Sequence, residues 1–133
     1  SGIMRPLATE LSREDIDRVA TYYASLPMPP RSADARPPAD AIARGRALAE
    51  NGDAAARVPS CTACHGADAL KTYPRLAGQN APYMTNRLRL WKAGLPPSTD
   101  GESIMAPIAA TLSAQQIEDV AAYFASLPTA PAR

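Results

Sequence analysis

Two cysteines and one histidine are all this 133-residue chain holds of those residue types, and they stand within five consecutive positions. Cys61, Cys64 and His65 share the run VPSCTACHGAD, residues 58–68. Thiols and imidazoles bind metals, exchange disulfides and act as nucleophiles, so the spacing has to choose. A Cys61–Cys64 disulfide would close a loop too short to constrain the unfolded chain much. A thioredoxin-like pair wants CxxC beside a βαβ pattern, and no strand pattern flanks this one. A structural zinc site takes four ligands; here there are three, with no second cluster elsewhere. C-x-x-C-H is the spacing of c-type haem attachment. Both thiols add to the haem vinyl groups, and the adjacent imidazole binds the iron from one side. One turn of helix would set both sulfurs over one haem edge and turn His65 under the iron. This reading uses all three residues; zinc, redox exchange and coincidence are its rivals.

His65 then needs an acceptor on its other ring nitrogen to fix the tautomer. In the nearby YPRLAGQ the carbonyl of Pro74 is expected to serve, the plainer alternative being that Pro74 only breaks the chain. No second histidine exists to complete the iron's coordination, and four methionines compete: Met4, Met28, Met84 and Met105. Met28 sits among prolines. Met84 lies on the apolar stripe of a helix, where a core role suffices. Met105 lies in what reads as an irregular segment before the last helix, far enough past His65 for the chain to wrap to the opposite haem face. Met105 is the expected ligand; Met4 and an open or other-ligand site are the alternatives. A thioether favours Fe(II) and raises the potential.

The elements that must position these residues read as helices. Residues 40–50, DAIARGRALAE, have a modest apolar face in Ile42, Arg46, Leu48 and Ala49, with Gly52 as a stop. Gly45 either allows close packing on another helix or simply costs stability. Residues 81–93 form a second helix, with Asn80 as cap, Pro82 in the first turn and Gly94 at the end. Met84, Leu88 and Trp91 make its stripe, with Arg87, Arg89 and Lys92 around it. Residues 114–126 form the last helix. Ser113 and Gln116 read as its capping box, Leu112 staples to Ile117, and Ile117, Val120, Ala121, Phe124 and Leu127 form the buried face. Glu118 and Asp119 suit the N-terminal half of the helix dipole.

Residues 3–27, IMRPLATELSREDIDRVATYYASLP, repeat at constant offset as residues 104–128, IMAPIAATLSAQQIEDVAAYFASLP. A gapless repeat of this kind marks a duplicated unit. The expected organisation is a C-terminal remnant of a preceding domain at 1–27, a Pro-rich linker at 28–39, and a complete haem domain at 40–133. The remnant carries its own apolar stripe in Ile16, Val19, Ala20, Tyr23 and Leu26. It is expected to dock beside the intact domain or drive self-association, with Met4 away from the iron. The chain opens on SGIMRPLATE, without an initiating Met at position 1, and so reads as a mature or cut product.

Charge and composition exclude other classes. Lys plus Arg total 14 against 13 Asp plus Glu, which makes no general case for nucleic acid. No apolar run is long enough for a bilayer. Phe and Trp occur once each, so large side chains for a core are scarce, and a haem is expected to be that core. Between residues 66 and 99 the charges are Lys71, Arg75, Arg87, Arg89 and Lys92 against Asp68 alone. That is either a docking surface for a redox partner or a solvated, propionate-pairing face.

CTACHG, YPRLAGQNAPYMTNRLRLWKAG and IMAPIAATLSAQQIEDVAAYFASLP together resemble a class I cytochrome c domain, most like the C-terminal domain of a diheme cytochrome c4-type protein. The likeness covers residues 40–128 and, through the repeat, the first 27. It implies an all-α fold around one covalent haem c, preceded by an extra N-terminal helix and the linker. Cys61, Cys64, His65 and Met105 fall at the positions that hold the haem and its iron. It further implies a periplasmic electron carrier, soluble or tethered outside these residues, that exchanges electrons with partner proteins, a membrane-bound one among the possibilities. The first domain's CxxCH is absent, so only one haem attaches here. The alternatives are an electron-relay domain of a larger dehydrogenase or terminal oxidase complex and, third, a haem sensor or enzyme with an open sixth site. No clustered acid–base pair supports catalysis.

Overall fold

The computed structural model describes residues 4–26, 37–66, 73–94 and 100–128. The chain divides into two compact units, one built on residues 1–33 and the other on residues 34–131. The first holds α1 (Met4–Thr9) and α2 (Arg13–Ser25). The second holds α3 (Ala39–Asn51), α4 (Thr62–His65), α5 (Ala81–Lys92), α6 (Asp100–Thr111) and α7 (Ala114–Ser126). Among the described residues there is no strand, only an isolated antiparallel bridge between Asp53 and Val58. The all-α expectation holds.

In the second unit α7 is the central element, packed on α3 and α5, while α6 packs on α5. Its start is set by local chemistry. The Ser113 hydroxyl accepts from the Gln116 amide at 3.1 Å, and the Gln116 side chain accepts from the Ser113 amide at 2.8 Å. Two of the helix's otherwise unpaired N-terminal donors are thus satisfied. Ile117, Val120, Ala121 and Phe124 are buried, as their spacing requires. Asn80 caps α5 in the same way, accepting from the Tyr83 amide at 3.0 Å.

α3 crosses α7 at Gly45. A Cβ there would lie 1.9 Å from the Asp119 carbonyl oxygen and 2.9 Å from the Tyr123 Cβ. Both obstacles belong to the neighbouring helix and cannot swing away, so any side chain would force the helices apart. Close approach is therefore the reason for a glycine in mid-helix. The predicted α3 face needs one correction. Arg46 is not part of it; its guanidinium points outward and bonds Glu50 at 2.8 Å. The buried positions are Gly45, Leu48 and Ala49, with Ile42 partly covered.

A second correction concerns residues 100–111. The sequence reading places Met105 in an irregular segment before the last helix, and Pro107, which cannot donate a backbone hydrogen bond, argues locally against a helix here. The structure makes it α6, with Pro107 inside the helix. Packing against α5 offsets the lost bond, an instance of tertiary contacts overriding local propensity. α1 was likewise not foreseen; its Pro6 falls in the first turn, where no intrahelical donor is needed.

The Arg44–Asp119 pair fastens the crossing. Arg44 Nε and a terminal nitrogen donate to the two Asp119 oxygens at 2.8 and 2.9 Å. Gln115 adds a third bond at 2.9 Å, and Asp119 is 3% exposed. The Arg44 hydrogen bonds hold the Asp119 carboxyl below the usual carboxylate range, against burial, which pushes it up. A carboxyl whose folded pKa is depressed contributes stability above its unfolded pKa of about 3.9 and loses it as pH falls through the folded value. Asp119→Asn should therefore lower stability at pH 7 by roughly 1–3 kcal/mol, below the full cost of breaking a buried pair because Arg44 is half exposed. Thermal unfolding from pH 3 to 7 should show the wild type losing its advantage below about pH 4. Parallel pH profiles for the two proteins would count against the pair.

Candidate haem-attachment site

The CxxCH turn is anchored on its N-terminal side by backbone and side-chain hydrogen bonds. α3 stops at Gly52, whose φ of +70° is open to glycine and strained for other residues. The chain then reverses through a turn closed by Asp53 N–H to Val58 O at 2.8 Å and Val58 N–H to Asp53 O at 2.9 Å. Gln116 Nε2 donates to Asp53 at 3.0 Å and ties this turn to the start of α7. Ser60 Oγ donates to the Ala49 carbonyl at 3.0 Å and lies 2.9 Å from Thr62 Oγ1. Residues 61–66 thus begin from a fixed point at the end of α3.

Cys61 is the N-cap of α4, and the His65 amide donates to the Cys61 carbonyl at 2.9 Å. This is the single helical turn that the motif requires. Both thiols are free and half-buried. Burial pushes the Cys61 thiol up from its ordinary value. His65 is only 7% exposed. Its Nδ1 lies 2.7 Å from the Pro74 carbonyl oxygen. A carbonyl can only accept, so Nδ1 carries the hydrogen and Nε2 keeps its lone pair for a metal. Tyr73 meets the imidazole edge-on with ring centres 6.3 Å apart, a contact absent from the sequence reading.

The methionines separate by environment. Met84 is 6% exposed and belongs to the buried cluster with Leu48, Ile117 and Phe124. Met105 is half-buried on α6. Met28 lies outside the described residues, as do Lys71 and Asp68. The cations of α5 are engaged. Arg89 pairs with Glu118 at 2.6 Å, Lys92 donates to the Ala110 carbonyl at 2.9 Å, and Arg87 stacks 4.9 Å over the Trp91 ring.

The residues present fit a haem. Among the described residues no group of three or more His, Cys, Asp or Glu could hold a bare metal ion. Zinc therefore finds no complete ligand set among the described residues. Trp91 Nε1 is a buried donor without a hydrogen-bond partner among the described residues. A buried unpaired donor costs about 1–3 kcal/mol, and a haem propionate is an acceptor of the kind it lacks. The sequence reading placed Trp91 on the apolar stripe and missed the donor. The signal was available, since a buried indole N–H normally finds a partner.

A one-turn CxxCH helix with a backbone-anchored histidine, set in a small all-α fold, defines a c-type haem protein. The cytochrome c family model matches residues 42–128, and the chain belongs to the cytochrome c family. It is 36% identical over 128 residues to a thiosulfate dehydrogenase electron acceptor of Stutzerimonas stutzeri, covering 94% of this chain and 58% of that protein. It is 34% identical to a cytochrome c4 of Pseudomonas aeruginosa, covering 93% and 62%. Among solved structures, Acidithiobacillus ferrooxidans cytochrome c4 superimposes with a TM-score of 0.76 at 30% identity, covering 93% of this chain and 70% of that one. Thiosulfate dehydrogenase from Marichromatium purpuratum superimposes with a TM-score of 0.71 at 39% identity, covering 96% and 28%. The chain spans about three fifths of the length of the curated relatives it matches. Membership of the family carries a covalent haem c with its iron and a role in electron transfer. No described helix is long and apolar enough to cross a membrane.

Proposed function

We propose that this chain is the haem-bearing module of a periplasmic electron relay that accepts electrons from a dehydrogenase acting on a reduced sulfur compound. The observation that carries its redox part is the His65–Pro74 hydrogen bond within the CxxCH turn. It presents an unprotonated ring nitrogen from a buried, oriented imidazole. In this reading Cys61 and Cys64 would form the two thioether links. His65 and Met105 would bind the iron, and Pro74 would fix the histidine's tautomer. Trp91 would offer a donor to a propionate. Bound haem supplies a one-electron Fe(III)/Fe(II) couple.

Two relatives supply the choice of donor. One is a thiosulfate dehydrogenase electron acceptor and the other a solved thiosulfate dehydrogenase. The relatives that are cytochromes c4 favour a second reading, a shuttle without a fixed enzyme partner. Residues 1–27 are taken as the tail of a preceding haem domain, 28–39 as the linker and 40–133 as the intact domain. The gapless repeat supports this division. With Arg89 and Lys92 tied to neighbours, any docking by the α5 cations is weaker than their number suggests.

The holoprotein should be mixed anaerobically with thiosulfate dehydrogenase and thiosulfate, and haem reduction followed optically. Reduction that is fast and slows with salt is the expected result. If the enzyme fails to reduce the protein while a chemical reductant succeeds, the shuttle reading replaces the relay. If the oxidised protein lacks a near-infrared sulfur-to-iron band, the sixth site is open and the methionine assignment falls.

A further inference from the structure

The Pro74 carbonyl that orients His65 belongs to an exposed residue, so burial of the proline does not hold it in place. A restraint lies further along the chain. The Gln79 amide donates to the Leu76 carbonyl at 3.0 Å and closes a turn over residues 76–79. Gly78 is the third residue of that turn, and its φ of +77° is what a type II turn demands there. The Gly78 amide is directed away from the turn and donates to the Phe124 carbonyl at 2.9 Å. Phe124 stands in the last turn of α7, where helix carbonyls lack their usual intrahelical donors. The Leu127 amide also approaches this oxygen, at the longer distance of 3.3 Å. Leu76 adds an apolar contact with the buried cluster, and Asn80, just past the turn, caps α5.

We infer that Gly78 is a positioning residue for the iron ligand, tying His65 through Pro74 to the C-terminal end of α7. The inference rests on the reading of His65 as that ligand. The path is short and made of backbone: Phe124 carbonyl, Gly78 amide, residues 75–77, Pro74 carbonyl, His65 Nδ1. What Gly78 contributes is its backbone conformation. An L-residue with a Cβ is strained at positive φ, and it relieves the strain by rotating the turn. That rotation draws the Gly78 amide off Phe124 or the Pro74 carbonyl off His65. A weaker acceptor at Nδ1 makes the imidazole a less basic ligand and a poorer stabiliser of Fe(III). The expected sign is therefore a rise in reduction potential. Asparagine tolerates the left-handed region, so it separates the demand for positive φ from a demand for a bare backbone.

The test compares Gly78→Val, Gly78→Ala and Gly78→Asn in the full holoprotein. Its two readouts are the solvent exchange of the His65 Nδ1 proton, followed by NMR, and the reduction potential. A hyperfine shift of that proton in the oxidised wild type checks the ligation reading by itself. Its absence removes that reading and this inference with it. Gly78→Val should speed ring-proton exchange about tenfold or more and raise the potential by the equivalent of about a threefold change in the Fe(III)/Fe(II) ratio. Gly78→Ala should fall between, and Gly78→Asn should stay within about twofold of the wild type by both measures. If Gly78→Val does not retain haem, the alanine and asparagine variants carry the comparison. Ile117→Val, a core change at the opposite end of α7, should move neither readout. Unchanged exchange and potential in the valine and alanine variants, an asparagine variant as perturbed as they are, or an equal response in Ile117→Val overturns the inference.

Discussion

Replacing Cys61 and Cys64 together by alanine should abolish covalent haem and leave a chain that does not hold its helices. The reason is the thinness of the core. Five of the thirteen buried hydrophobic residues among those described are alanines: Ala49, Ala109, Ala121, Ala122 and Ala125. Among the described residues the only large side chain below 2% exposure is Ile117. An alanine methyl contributes little to burial at about 25 cal/mol per Å² of apolar surface, and a domain of this size has a marginal surface-to-volume ratio to begin with. Trp91 Nε1 would also stay buried without an acceptor. Circular dichroism, a haem assay and limited proteolysis check this. A haem-free double variant with native helix content and native resistance to protease would sink it.

The second large effect separates two methionines. Met105→Ala should lower the reduction potential, remove the sulfur-to-iron band, and open the iron to azide or carbon monoxide. Met84→Ala should keep the band and instead cost about 2–5 kcal/mol in stability, because it empties a packed position among Leu48, Ile117 and Phe124. Potentiometry with spectra, and thermal unfolding of both variants, distinguish the outcomes. Loss of the band in Met84→Ala and its retention in Met105→Ala would reverse the ligand assignment.

Elements marked by short-range chemistry were legible in the sequence. α7 announces itself by Ser113 and Gln116, and α5 by Asn80 and Pro82, because caps act over three or four residues. The haem motif was legible for the same reason, as five consecutive residues contain it. α6 was not, since Pro107 argues locally against a helix and the contacts with α5 that override it are long-range. Gly45 could be seen to need an explanation, but the Asp119 carbonyl that supplies it lies in another helix. Asp119 itself was assigned to the helix dipole. Its real partner, Arg44, is 75 positions away in sequence, and no periodicity reveals such a pair. The Pro74 carbonyl was placed correctly because a histidine next to CxxC must orient its second nitrogen and few nearby carbonyls are free.

The Pro74 bond to His65 also bears on the speed of electron exchange. Each transfer changes the charge beside the imidazole by one unit, and a loosely held ligand would tilt or shift in response. That rearrangement adds to the activation barrier in both directions. Here the ring is buried, bonded at Nδ1 to a carbonyl on a rigid pyrrolidine, and buttressed edge-on by Tyr73. With haem bound, such a restraint on His65 would favour a low reorganisation energy and exchange with partners at small driving force.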